Sequence, residues 1–213
     1  MKSCKIYAIL PQTKALGPYL RCAIWVQGCN KNCEECMTPE ARPIDAGTLI
    51  PVRDLANSII EDPKIEGITI SGGEPFFQST AMIQLIELIK LKRDMGVIVY
   101  TGYTYEELMD RSLFLNQNDI QEFCKHIDIL IDGPYIKSLN DGLSLRGSSN
   151  QKVHLLTNRY INVVDQYYEI TQRSTELHML NKELFLAGIP GKDMLKKWQE
   201  RFVNPMHKLH TKY

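Results

Sequence analysis

Three cysteines stand at C-x3-C-x2-C at the end of an apolar run, and a ligand set this tight dictates how the rest of the chain must be laid out. Thiolates that converge on one inorganic centre come from a short loop, because the cost of gathering them grows with the intervening chain. Cys29, Cys33 and Cys36 fall within eight residues. A structural zinc site takes four closed ligands and an electron-transfer cluster takes four cysteines, and this loop holds no fourth. On a 4Fe-4S cluster three thiolates leave one iron open to bind something else, as a catalytic centre requires. Two alternatives are a chance clustering and a zinc site completed by Cys4, Cys22, Cys124 or His126.

The 213 residues are enough for one sizeable core, and no linker composition divides them. Lys plus Arg and Asp plus Glu balance at 25 each, so nothing draws the chain toward nucleic acid or an anionic membrane. Residues 1–11 lack the apolar core of a signal peptide and no span approaches transmembrane length, which predicts a cytoplasmic protein without a membrane partner. Six cysteines with three in one loop read as metal ligands in a reducing compartment. Cys4, Cys22 and Cys124 read as small apolar residues.

The pattern around the cysteines alternates strand and helix. Residues 21–27 form an apolar run that delivers the cysteine loop at its C-terminal end. A helix is predicted over 51–61, with Pro51 at its first position. A strand at 67–70 then runs into Ser71-Gly72-Gly73-Glu74-Pro75, and Ser79 or Thr80 opens a helix with Met82, Leu85, Ile86 and Ile89 on one face. The next unit is a strand at 97–100, Thr101-Gly102-Tyr103, and a helix opened by the capping-box pair Thr104 and Glu107. A helix over 118–125 and a strand at 127–131 end at Asp132-Gly133-Pro134. Beyond these come a strand at 152–156, a short helix capped by Thr157, a hairpin of 176–180 and 183–187 about Asn181-Lys182, and a final helix over 192–202.

Strands alternating with helices at this spacing pair in parallel through right-handed crossovers, and ligands gather at their C-terminal ends. The cysteine loop, Gly-Gly-Glu-Pro, Thr-Gly-Tyr and Asp-Gly-Pro all fall at such ends. The expected fold is α/β: an incomplete, partial TIM-like βα barrel with parallel strands, plus a small C-terminal hairpin and helix.

Gly72-Gly73-Glu74-Pro75 lacks the lysine and spacing of a phosphate-binding P-loop. Its glycines permit close backbone approach to a ligand, and Glu74 offers a carboxylate to a cationic group. The cysteine loop resembles the signature of the radical S-adenosylmethionine (AdoMet, SAM) superfamily, and Gly-Gly-Glu-Pro resembles that superfamily's second motif. Gly17-Pro18-Tyr19-Leu20-Arg21, Val26-Gln27-Gly28-Cys29, Ser71-Gly72-Gly73-Glu74-Pro75-Phe76, Tyr100-Thr101-Gly102-Tyr103, Ile131-Asp132-Gly133-Pro134 and Arg146-Gly147-Ser148-Ser149-Asn150-Gln151 resemble successive landmarks of the anaerobic ribonucleotide reductase activating proteins. The resemblance covers about the first three quarters of the chain.

The resemblance implies a 4Fe-4S cluster on Cys29, Cys33 and Cys36, with AdoMet on the open iron. It implies that Gly72, Gly73 and Glu74 meet the AdoMet amine and that Thr101, Asp132, Arg146 and Ser148 line the rest of the AdoMet pocket. Arg146 suits the carboxylate through its planar fork, and hydroxyl or carboxylate groups suit a ribose. The implied reaction is reductive cleavage of AdoMet and hydrogen abstraction from a backbone glycine of an anaerobic ribonucleotide reductase, with a flavodoxin- or ferredoxin-type electron donor. The implied division is a radical SAM core over 1–156 and a C-terminal extension over 157–213 packed on it.

Two positions depart from the family pattern: Glu35 stands where many superfamily members carry an aromatic, and Met37 where many activating proteins carry histidine. Two other functions stay open on the sequence. One is a radical SAM enzyme acting on a ribosomal peptide or small metabolite, and the other a non-catalytic zinc or iron-sulfur binding module.

Overall fold

The computed structural model describes residues 2–34, 36–110, 116–143, 145–168, 173–180, 183–191 and 197. Seven strands form one sheet in the order β3-β1-β2-β4-β5-β6-β7: β1 (Ser3–Thr13), β2 (Arg21–Val26), β3 (Thr48–Pro51), β4 (Gly67–Gly72), β5 (Gly96–Tyr100), β6 (Ile129–Ile131) and β7 (Val153–Leu155). The four central strands β2, β4, β5 and β6 are parallel. On the flanks β1 is antiparallel to both β2 and β3, and β7 is antiparallel to β6. The architecture is thus mixed α/β with a parallel centre, and the expectation of parallel pairing throughout does not hold at the edges.

Helices supply the crossovers between the parallel strands: α1 (Val52–Ile60) before β4, α2 (Ser79–Lys90) before β5, and α3 (Tyr105–Met109) with α4 (Gln117–Lys125) before β6. Alternation along β2 explains why its entire length is buried. Cys22, Ile24 and Val26 face the helix layer with Leu55 and Ile59 of α1, Leu85 and Ile86 of α2, and Phe123 of α4. Ala23 and Trp25 point the other way, onto Leu10, Leu16 and Ala187. A strand covered on both faces carries a continuous apolar run.

The second face of the sheet is covered by α5 (Ile161–Tyr168), through Tyr160 and Val164, and by the antiparallel hairpin of β8 (Thr175–Leu180) and β9 (Glu183–Gly188). The hairpin is as expected; its turn residues Asn181 and Lys182, and the helix expected over 192–202, lie outside the described residues. Thr157 initiates a turn by accepting from Arg159 N, and the helix starts later, at Ile161. Pro51 closes β3 and precedes α1 rather than occupying its first turn.

Arg21 pins the opposite, N-terminal end of the parallel strands. It is fully buried, and its guanidinium donates to Thr69 Oγ1, Glu66 Oε2, the Tyr160 hydroxyl and the carbonyls of Pro18, Ile68 and Gly96. The planar donor fork suits this convergence of acceptors from β4, β5 and the segments just before β2, β4 and α5.

Candidate active site

The loops at the C-terminal ends of β2 and β4 are tied to one another through backbone, and the glycines make this possible. Gly72 adopts φ +103°, a region that L side chains rarely enter, and a Cβ there would lie 2.5 Å from Val26 N and O. A Cβ on Gly73 would lie 2.3 Å from Gly28 O and 2.8 Å from Ala41 O. The resulting contact carries hydrogen bonds from Gly73 N to Val26 O and from Glu74 N to Gly28 O, both 2.8 Å. The pair of glycines therefore presses against the backbone that leads into the cysteines. On the far side of that loop, Gly28 N donates to Ala41 O and Cys29 N to Arg42 O. Gln27 Nε2 holds the carbonyls of Glu40 and Pro43.

Glu74 is completely buried, and three donors fix its carboxylate. Phe76 N (3.1 Å) and Thr101 Oγ1 (2.8 Å) donate to Oε1, and Gly102 N (3.0 Å) donates to Oε2. Burial pushes its pKa up to about 7, against the lowering effect of the two amides, the Thr101 hydroxyl and the Lys31 ammonium. Thr101 is positioned in turn by Tyr103 N, and the Tyr103 hydroxyl pairs with Asn30 in the cysteine loop. Lys31 Nζ lies 4.1 Å above the Tyr103 ring.

Cys29, Cys33 and Cys36 are free and half-buried, and they line one cavity of about 190 Å³ together with Gly72, Gly73, Glu74 and Thr101. Burial pushes the Cys29 thiol up to about 11; a hydrogen bond from Lys31 N opposes this, and the nearby Glu74, Cys36 and Cys33 raise it further. Cys33 is raised likewise, by burial first and then by Cys36. Among the described residues no group of three His, Cys, Asp or Glu side chains is placed to hold a single metal ion. Ligands on separate irons of a cluster stand farther apart than ligands on one ion. Cys4 and Cys22 lie in the core, and Cys124 packs against it.

The remaining expected residues stand behind the cavity wall. Asp132 is buried and held by three partners: it accepts from Tyr105 N (2.6 Å) and Lys152 N (2.9 Å) and pairs with His154 Nε2 (2.9 Å). Arg146 is engaged by Asp141 at 2.6 and 3.0 Å. The Ser148 hydroxyl accepts from Ile136 N. Their neighbours Gly133, Gly147 and Gln151 line the cavity instead. Gln151 bridges the two loops, accepting from Gly147 N and Ser148 N and donating to Gly133 O.

Sequence reasoning passed over Arg42 and gave Tyr100 no role of its own, although both line the cavity. Arg42 donates to Asn32 Oδ1, yet its Nε is buried without a partner, as is the Tyr100 hydroxyl. Buried donors left unpaired are costly, and here two of them belong to one cavity wall. The only signal for Arg42 was its place shortly after the third cysteine.

A sheet with a parallel centre that gathers three free thiols and a buried glutamate at its C-terminal rim defines the class of an iron-sulfur cluster protein. The family model of the 4Fe-4S single cluster domain matches residues 15–154. The anaerobic ribonucleoside-triphosphate reductase-activating protein of Vibrio cholerae is 32% identical over 150 residues, covering 66% of this chain and 91% of that one. The protein of the same description from Enterobacteria phage T4 is 29% identical over 143 residues, covering 64% and 85%. The pyruvate formate-lyase-activating enzyme of Clostridium pasteurianum is 24% identical over 132 residues, covering 60% and 50%. The chain belongs to this 4Fe-4S, radical SAM family of activating proteins. The cavity fits the family's cofactors: its wall offers three thiols from one loop, a carboxylate and two unpaired donors.

Proposed function

We propose that this protein is a radical SAM activase that generates a glycyl radical on an anaerobic ribonucleotide reductase. The observation that carries the reading is that Cys29, Cys33, Cys36 and Glu74 line one cavity at the C-terminal ends of parallel strands. A cluster held by these thiols would supply the electron for reductive cleavage of AdoMet, and with it the means to take a hydrogen atom from a glycine Cα.

The chain's own residues hold and orient these groups. Cys29, Cys33 and Cys36 are the three cluster ligands, and their loop is kept open at the cavity by the backbone clasp from Gly73 and Glu74 to Val26 and Gly28. Glu74, held at three points, presents its remaining acceptor capacity to the AdoMet amine beside Gly72 and Gly73. Arg42, with its unpaired Nε on the cavity wall, takes the carboxylate role that the sequence suggested for Arg146. Thr101 positions Glu74, while Asp132, Arg146 and Ser148 brace the loops that frame the cavity.

The same reading takes residues 1–156 as the radical SAM core, a partial TIM-like barrel, with 157–213 as an extension. It takes a flavodoxin- or ferredoxin-type protein as the electron donor, and the cytoplasm as the location. In support of the location, among the described residues no helix is long and apolar enough to cross a membrane.

Electron paramagnetic resonance of the anaerobically reconstituted, reduced protein tests this reading. Addition of AdoMet is expected to change the cluster signal, with 5'-deoxyadenosine formed. A cluster indifferent to AdoMet would overturn it.

A further inference from the structure

The hairpin β8–β9 lies beyond the stretch matched by the family model, yet it forms part of the cavity wall. Its inner face is anchored. Phe185 packs edge-on against Trp25 with ring centroids 4.8 Å apart, and Ala187 is fully buried beneath it. The register pairs Leu177 with Leu186 and Met179 with Leu184, so these four side chains share the other face. Leu186 points into the cavity, while Leu177 is 54% exposed, Met179 65% and Leu184 46%. The open face of a half-covered antiparallel sheet is ordinarily polar. Here it is a continuous aliphatic surface running from the cavity mouth outward.

We propose that this aliphatic face is the docking surface for the glycyl-radical partner, receiving an apolar segment of that protein beside the loop that carries its glycine. The inference rests on the reading given under Proposed function and names where the partner binds. Two observations favour this occupant. The face is continuous with the cavity through Leu186, so a partner segment lying on it is adjacent to the cavity. The hairpin is also held to the core by Trp25, one of the cavity-lining residues, so the face keeps a defined position relative to the cysteines.

The double variant Leu177→Asp/Met179→Asp places charge on two exposed positions away from the cavity lining, and Leu177→Ala/Met179→Ala serves as the milder counterpart. The reconstituted holoprotein is titrated with the anaerobic ribonucleotide reductase in sedimentation velocity, and partner-free 5'-deoxyadenosine formation is followed in parallel. The Asp variant is expected to weaken reductase binding at least about tenfold and the Ala variant by less, both with unchanged deoxyadenosine formation. Unchanged reductase affinity in both variants overturns the proposal. Loss of a wild-type self-association in the Asp variant, with reductase affinity intact, assigns the face to a second copy and also overturns it. Exposure of residues 192–213 to protease in the Asp variant, again with reductase affinity intact, assigns it to the chain's own C-terminal segment. Failure of the underlying reading looks different: the unaltered protein then neither binds the reductase nor raises a glycyl radical on it.

Discussion

Thr101 Oγ1 donates to Glu74 Oε1 over 2.8 Å, and this bond joins the motif that ends β5 to the motif that ends β4. It orients the one carboxylate that lines the cavity among the described residues. Removing the hydroxyl in Thr101→Val leaves Glu74 with two amide donors and weakens its ionised form. AdoMet affinity of the reconstituted protein is expected to fall about five- to thirtyfold, the equivalent of roughly 1–2 kcal/mol for one charge-assisted hydrogen bond. Calorimetric titration measures this directly, and Thr101→Ser is expected to retain wild-type affinity.

Burial also makes Glu74 a source of pH dependence in the metal-free protein. Its pKa is raised to about 7 from an ordinary 4.5. Between those values the folded chain keeps a proton that the unfolded chain has released. The resulting contribution to stability is fully present below pH 4.5 and is lost as pH rises through 7, at most about 3 kcal/mol in total. Urea unfolding from pH 5 to pH 8 is expected to show this decline, and Glu74→Gln to flatten it. An equal slope in the variant would assign the decline to other groups.

Gly73→Ala forces a Cβ to within 2.3 Å of Gly28 O, the residue just before the first cysteine. Two backbone segments must part, which breaks the clasp rather than merely straining it. Iron content after reconstitution is expected to drop below half of wild type, with the unfolding midpoint lowered by at least about 1 kcal/mol equivalent. Gly191→Ala serves as the control, at a glycine whose Cβ meets nothing within 4 Å and whose φ is not positive.

The strand-helix frame was legible because its signals were local and redundant. The apolar run at 21–27, the capping box of Thr104 with Glu107, and the stripe of Met82, Leu85, Ile86 and Ile89 all appear as expected. β1 was missed as a strand although Cys4, Ile6 and Leu10 are buried along it. Register shifts at 6–8 and 10–13 break its alternation, and Pro11 at the second of these reads as a strand breaker. The antiparallel flanks could not be read either, since strand direction is settled by tertiary pairing. Within the site, the cysteine loop and Gly-Gly-Glu-Pro announced themselves by composition. The choice between Arg146 and Arg42 as carboxylate partner was not legible either, since the engagement of Arg146 by Asp141 and the place of Arg42 in the cavity lining are properties of the fold.

That contrast is itself testable. Arg42→Gln is expected to weaken AdoMet binding about ten- to a hundredfold, on the scale of a lost charge-assisted pair, and to leave the affinity for decarboxylated AdoMet nearly unchanged. Arg146→Gln is expected to shift AdoMet affinity by less than about threefold. The reverse ranking would restore Arg146 as the carboxylate partner.

Isotope transfer shows whether this protein takes a hydrogen atom from a glycine of an anaerobic ribonucleotide reductase. Reductase with glycine deuterated at Cα is incubated anaerobically with the reduced, reconstituted protein and AdoMet. A glycyl radical signal on the reductase is expected, with one deuterium in each 5'-deoxyadenosine formed with it. Deoxyadenosine free of deuterium, with no radical on the reductase, would contradict it.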